Sequence, residues 1–157
     1  MKKLVNKSSG FTLIEILVVI GIIAVLAAIV IIAINPARQF AQARDAQRSN
    51  DLNAILNAVG QRFADGKGIF SGCPDTIPQG TASTSAKVID MATGGSGVNF
   101  SCLAPTYMSA LPIDPSNPTA PSTGYKIWQD SSNGRIHVFA DVQEPNIPRT
   151  AAIEIVR

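Results

Sequence analysis

Apolar and polar positions fall into three regimes along the chain. From Phe11 to Ile34, 24 consecutive residues carry a single ionisable side chain, Glu15. As a helix they span ~36 Å, more than the ~30 Å of a bilayer core. A helix apolar on every face needs lipid or protein all round it, which predicts a membrane-spanning segment. Asn35-Pro36 follows. Proline lacks an amide hydrogen and disfavours helical geometry at the residue before it, so a kink is predicted at Pro36. From Ala37 to about Asp65 the pattern becomes amphipathic, with Leu52, Ile55, Leu56, Val59 and Phe63 on one helical face. Before Leu52 that face is polar, carrying Gln42, Arg44, Asp45 and Arg48. It reads as a neck between the membrane and the remainder of the chain, its charged face either solvated or in contact with another molecule, in which Asp45–Arg48 and Arg48–Asp51 are favourable i,i+3 pairs of at most about 0.2–0.5 kcal/mol each. Gly66 and Gly68 supply a stop.

The third regime is the remainder. Residues 66–124 are loop-rich: nine of the ten prolines lie beyond residue 73, and Gly, Ser and Thr dominate 80–86 and 93–97. Within them Lys87–Ala92 reads as a short helix or strand, and Thr106–Leu111 as a helical turn. Residues 125–157 predict an antiparallel sheet. Tyr125–Gln129, Arg135–Asp141 and Ala151–Val156 alternate in the strand manner, and Asn133-Gly134 marks a hairpin. Tyr125, Ile127, Ile136, Val138 and Ala140 share one sheet face, assigned with Ile153 and Ile155 to packing on the amphipathic helix. Lys126, Trp128, Asp130, His137, Phe139 and Asp141 share the other. Trp128 and Phe139 are opposite each other if the hairpin loop has two residues, and diagonal if it has four. They need cover, from the 73–121 loop or from a neighbouring molecule.

Composition narrows the function. The 157 residues give room for one domain, and the 46 % apolar content excludes disorder across the chain. A net charge of +2 disfavours a broad basic nucleic-acid surface. One histidine and two cysteines are too few for an ordinary zinc site. His137 has no serine or cysteine partner in a catalytic spacing, and there is no phosphate-binding glycine loop. No enzyme site is expected.

The N-terminal residues MKKLVNKSSG place Lys2, Lys3 and Lys7 ahead of the apolar run. A secretory signal has an apolar stretch of ~7–15 residues and then a cleavage site. Here the small residues Ser8, Ser9 and Gly10 precede the run, so a cut at Gly10 would keep the apolar helix. The string Gly10-Phe11-Thr12-Leu13-Ile14-Glu15 resembles the processing motif of type IV prepilins and type II secretion pseudopilins. The resemblance is close over residues 1–65 and architectural beyond, though Leu111-Pro112-Ile113-Asp114-Pro115 also resembles pseudopilin heads.

That resemblance implies a pilin-like α+β fold. Residues 1–10 would be a cleaved leader, 11–34 a membrane and filament-core helix, 35–65 its amphipathic half and 66–157 a globular head. It implies cleavage between Gly10 and Phe11 by a prepilin peptidase that also methylates the Phe11 amine. A carboxylate in a membrane helix is costly unless paired, and the Phe11 amine of a neighbouring subunit would pair with Glu15. The implied partners are identical subunits, an inner-membrane assembly platform with its assembly ATPase, and membrane lipid before assembly. Lys2, Lys3 and Lys7 are nearly balanced by Arg38, Arg44 and Arg48 across the span. Orientation, with the N-terminus in the cytoplasm and the head outside it, therefore rests on the resemblance, with which the two cysteines agree. Ala24 and Ala28 form a small-xxx-small pair suited to close helix packing.

In an exported head Cys73 and Cys102 most simply pair, the alternative being two buried thiols. Asp114, Asp130, Asp141 and Glu144 are the residues a calcium ion could use, as in some major pseudopilins. They show no regular ligand spacing, so no cofactor is expected. Three functions follow: a structural subunit of a type IV pilus-like filament, a major pseudopilin of a type II secretion system, or a minor pilin binding DNA or a surface ligand. The last would want exposed Lys87, Lys126, Arg135, Arg149 and Trp128 on the head.

Overall fold

The computed structural model describes residues 10–92, 96–116, 121–142, 144–145, 147 and 151–157. Residues 1–9 of the expected leader and Arg149 lie outside them. The chain forms two compact units, the first ending at Ala37 and the second running from Arg38 to Arg157.

The first unit is built on α1, Leu13–Ile34, none of whose residues is buried. It starts two residues later than the apolar run because Thr12 is its N-cap. It ends at Asn35, which adopts the left-handed conformation with φ 47° and ψ 76°. Asparagine tolerates that conformation, and Pro36, whose missing amide hydrogen costs nothing at a first helical position, opens the next helix. The Asn35-Pro36 step therefore interrupts the helix.

The second unit contains α2 (Pro36–Asp65) from Arg38 onward and a six-stranded sheet. α2 ends where Lys67 and Gly68 take positive φ, and the Gly68 amide donates back to the Phe63 carbonyl at 2.8 Å. The strands are β1 (Gln79–Gly80), β2 (Lys87–Asp90), β3 (Val98–Asn99), β4 (Ser122–Asp130), β5 (Ile136–Ala140) and β6 (Ile153–Val156). Their order is β3-β2-β4-β5-β6, with β1 also pairing with β4. β4, β5 and β6 form the expected antiparallel meander. The sheet as a whole is mixed, because β1 runs parallel to β4 and β3 parallel to β2. The loop-rich middle thus contributes three strands, two of them only two residues long, too short for alternation to reveal. No helical turn forms at 106–111; a 3-10 turn sits instead at Ser101–Leu103.

The core lies between α2 and one sheet face. Leu52, Ile55, Leu56, Ala58 and Val59 meet Tyr125, Ile127, Val138 and Ala140, with Ile89, Val98, Phe100 and Leu103 closing the end. Ile136, Ile153 and Ile155 pack at its margin, on the face assigned to the helix. Leu52→Ala or Ile127→Ala should destabilise the head by about 2–5 kcal/mol in urea unfolding of the detergent-solubilised chain. A loss below about 1 kcal/mol would contradict this core.

Candidate functional site: the N-terminal cap and the charged side of the second helix

Gly10 and Phe11 precede α1 with extensive exposure, and a Cβ at Gly10 would meet nothing within 4 Å. Four residues after Phe11, Glu15 folds back on the helix start. Its Oε2 accepts from the Thr12 amide and from Thr12 Oγ1, both at 2.9 Å. The Glu15 amide in turn donates to Thr12 Oγ1 at 3.3 Å. This is a capping box, which satisfies amides that the first helical turn leaves without partners. Glu15 therefore has a role within its own chain as well as any role between chains. The Thr12-x-x-Glu15 spacing announces it, although the carboxylate attracts notice first as a charge in an apolar run.

Cys73 and Cys102 are joined as a disulfide. It ties the segment after α2 to the 3-10 turn that carries Leu103, a fully buried core residue.

The charged face of α2 before Leu52 is neither solvated throughout nor turned to another molecule: it is drawn into the head of its own chain. Arg48 is fully buried, and each of its five N–H groups has an acceptor. Nε and Nη2 donate to the two carboxylate oxygens of Asp114 at 2.7 and 3.1 Å. Nη1 donates to Glu144 at 2.7 Å and to Asp45 at 3.0 Å. Nη2 also donates to Ser116 Oγ at 2.7 Å. Arg44 reaches Glu144 as well, through Nε at 2.8 Å and Nη2 at 2.5 Å. Two arginines and three carboxylates thus pin two distant segments, 114–116 and Glu144, to α2. Asp45–Arg48 is formed, but the expected Arg48–Asp51 pair gives way to another contact. Asp51 accepts from the Tyr125 hydroxyl at 2.6 Å. Burial, reinforced by Asp51, pushes the Tyr125 phenol up; burial likewise raises the Asp51 carboxyl, against the hydrogen bond from Tyr125.

Helical spacing puts Arg44, Asp45 and Arg48 on the Leu52 side of α2, while Gln42, expected on the same side, is exposed. Arg48 continues the Leu52, Ile55, Val59 stripe by one turn, and that spacing was the available signal. The four carboxylates considered for calcium do not converge among the described residues. Asp114 and Glu144 face arginine, Asp130 accepts from Ser132 and Asn133 of its own turn, and Asp141 pairs with Lys126.

On the other sheet face the hairpin takes the four-residue register. Trp128 stands opposite His137 and Lys126 opposite Phe139, which makes Trp128 and Phe139 diagonal. The Trp128 and His137 rings stack at 4.4 Å, and His137 Nδ1 lies 2.7 Å from Glu154. Trp128 is 5 % and Phe139 7 % exposed within the single chain. Ser83, in the turn between β1 and β2, shares a small cavity with Phe139. The chain thus covers its own aromatics, and Trp128 does not serve the exposed surface that a ligand-binding head would want.

Removing one partner from a buried ion pair costs about 3–5 kcal/mol, so Arg48→Ala should lower head stability by that amount. Hydrogen bonding from Arg44, with Arg48 beside it, holds the Glu144 carboxyl down at about 2, against an ordinary 4.5. A carboxyl held low contributes stability that is complete above its unfolded pKa and lost as the pH falls toward its folded one. Thermal unfolding should therefore show a stability loss between about pH 4.5 and pH 2 that is reduced in Glu144→Gln. Identical acid dependence in the two chains would contradict the cluster's role.

Residues 5–34 match a family model described as the prokaryotic N-terminal methylation motif, the hallmark of type IV prepilins and pseudopilins. No curated protein and no solved structure matches the chain.

Proposed function

We propose, from the N-terminal methylation motif, that this chain is a structural subunit of a type IV pilus-like filament. The observation that carries the reading is the motif's continuation into α1. It leads into a 22-residue apolar helix with no buried residue, long enough to cross a membrane and available for packing with other copies. The chain would be inserted as a membrane-anchored precursor and cut between Gly10 and Phe11 by a prepilin peptidase, which would methylate the Phe11 amine. The three lysines of residues 1–10 leave with the leader, so formal net charge falls from +2 to −1.

Cleavage creates a cation one residue before Thr12, whose amide already holds the Glu15 carboxylate. In a bundle of α1 helices the amine of one subunit and Glu15 of the next neutralise each other away from water and set the axial register. The assembly platform, its ATPase and the surrounding lipid are the partners this reading requires. The motif is shared by pilins and pseudopilins, and the place of assembly separates them. Loss of long surface fibres on deletion of the gene, seen by electron microscopy, marks a pilus subunit. Loss of protein export with fibres intact marks a major pseudopilin.

Mass spectrometry of membrane-extracted protein should find a chain that begins at methylated Phe11. Gly10→Val should block the cut by crowding the peptidase site, and normal maturation of that variant would overturn the cleavage assignment. Glu15→Val leaves the helix apolar enough to insert and should be cleaved, yet should assemble poorly. Abundant filaments from Glu15→Val alone would count against the pairing.

A further inference from the structure

Asn133-Gly134 is the only Asn-Gly step in the chain, and it lies in the turn between β4 and β5. The turn needs its glycine, because position 134 has φ 74°, which other residues rarely adopt. The same glycine exposes Asn133 to a reaction that needs no enzyme. Asparagine is a thermolabile residue, and a following residue without a side chain leaves the next backbone nitrogen unshielded. That nitrogen loses its proton to a solvent base and attacks Asn133 Cγ. A C–N bond forms, the Cγ–Nδ2 bond breaks, and Nδ2 leaves as ammonia after taking a proton from water. Water then opens the succinimide ring at either carbonyl, which gives aspartate or isoaspartate. Nothing is oxidised or reduced.

In the folded turn both the nucleophile and the leaving group are engaged by Asp130. The Gly134 amide donates to the Asp130 carbonyl at 2.8 Å. Asn133 Nδ2 donates to Asp130 Oδ2 at 2.6 Å. Asn133 Oδ1 accepts from the Arg135 amide at 2.8 Å, which fixes the side chain at its other end. Asp130 is held in turn. Its Oδ1 accepts from the Ser132 amide at 2.8 Å and the Ser132 hydroxyl at 2.6 Å, and its own amide donates to the Arg135 carbonyl at 2.8 Å. The bonds from Ser132 hold the Asp130 carboxyl below the usual carboxylate range, so at neutral pH it is ionised and only accepts. Ring closure therefore requires Gly134 N and Asn133 Nδ2 to leave Asp130 together, which is a local opening of the turn.

We infer that Asn133 is a site of spontaneous deamidation that Asp130 keeps closed in the folded head, and that the reaction, once it occurs, weakens the hairpin. An acid at 133 places a second carboxylate where Nδ2 now donates to Asp130, so two like charges replace a charge-assisted hydrogen bond. The inference holds whether or not the chain builds a filament.

The test incubates the detergent-solubilised full chain beside a free peptide of residues 128–137 in mildly alkaline buffer. Peptide mass spectrometry follows the mass gain of amide-to-acid exchange at 133. The folded chain should react about tenfold or more slowly than the peptide, the factor by which opening of the turn is disfavoured. Equal rates overturn the inference. Asp130→Ala should bring the folded chain's rate toward that of the peptide, and a rate that stays at the wild-type level overturns the part given to Asp130. Asp130→Asn, of the same shape with one acceptor fewer, serves where Asp130→Ala does not fold, with the same expectation. Asn133→Asp should lower the thermal midpoint of the full chain, and by less when Asp130→Asn has removed the facing charge. A midpoint that Asn133→Asp leaves unchanged overturns the weakening of the hairpin.

Discussion

A helix with apolar side chains on every face and no buried residue is the constraint from which the rest follows. Such a surface is stable in lipid or against other copies of itself, and in water it would aggregate. The head can therefore be small, because it has no need to cover α1. Its own core is complete without the span, with α2 on one sheet face and the Trp128, His137 and Phe139 face covered within the chain. The break at Asn35-Pro36 falls where the apolar run of α1 gives way to the amphipathic pattern of α2. Glu15 is the exception within the apolar run, and its capping box gives the carboxylate partners within its own chain.

Arg48 does for the head what apolar contacts do elsewhere. At its level α2 offers little hydrocarbon to bury, and the guanidinium instead gathers Asp45, Asp114, Ser116 and Glu144. Buried charges are tolerated when every donor and acceptor is met, and a planar fork of five donors suits that task better than lysine. One consequence is that Asp114 and Glu144 both answer to the same arginine. Another is that segments far apart in sequence, 114–116 and Glu144, are joined to the same turn of helix.

What could be read in advance had short-range causes. The span, the α2 stripe of Leu52, Ile55, Leu56 and Val59, and the β4–β5 hairpin with its Asn133-Gly134 turn all announce themselves through spacing within a few residues. The face assignment of Tyr125, Ile127, Val138 and Ala140 followed from period-two alternation, and the structure places them in the core. What escaped depends on distance. β1 pairs with β4 across 50 residues, and β1 and β3 are both two-residue strands, too short for any local alternation to mark them. Arg48 meets Asp114 and Glu144 across 66 and 96 residues, and a lone arginine on a helix looks like solvent-facing charge until those partners are known. The Leu111–Pro115 motif is legible in the sequence, but the role of its Asp114 depends on Arg48, 66 residues away.

The central claim is that α1 leaves the membrane to become the core of a filament. Cryo-electron microscopy of filaments sheared from the cells and identified by peptide mass tests it directly. The account predicts a core of bundled α1 helices, with the Phe11 nitrogen of each subunit beside Glu15 of a neighbour and the heads outside. A fibre that lacks this chain, with α1 remaining in the membrane fraction, would contradict it.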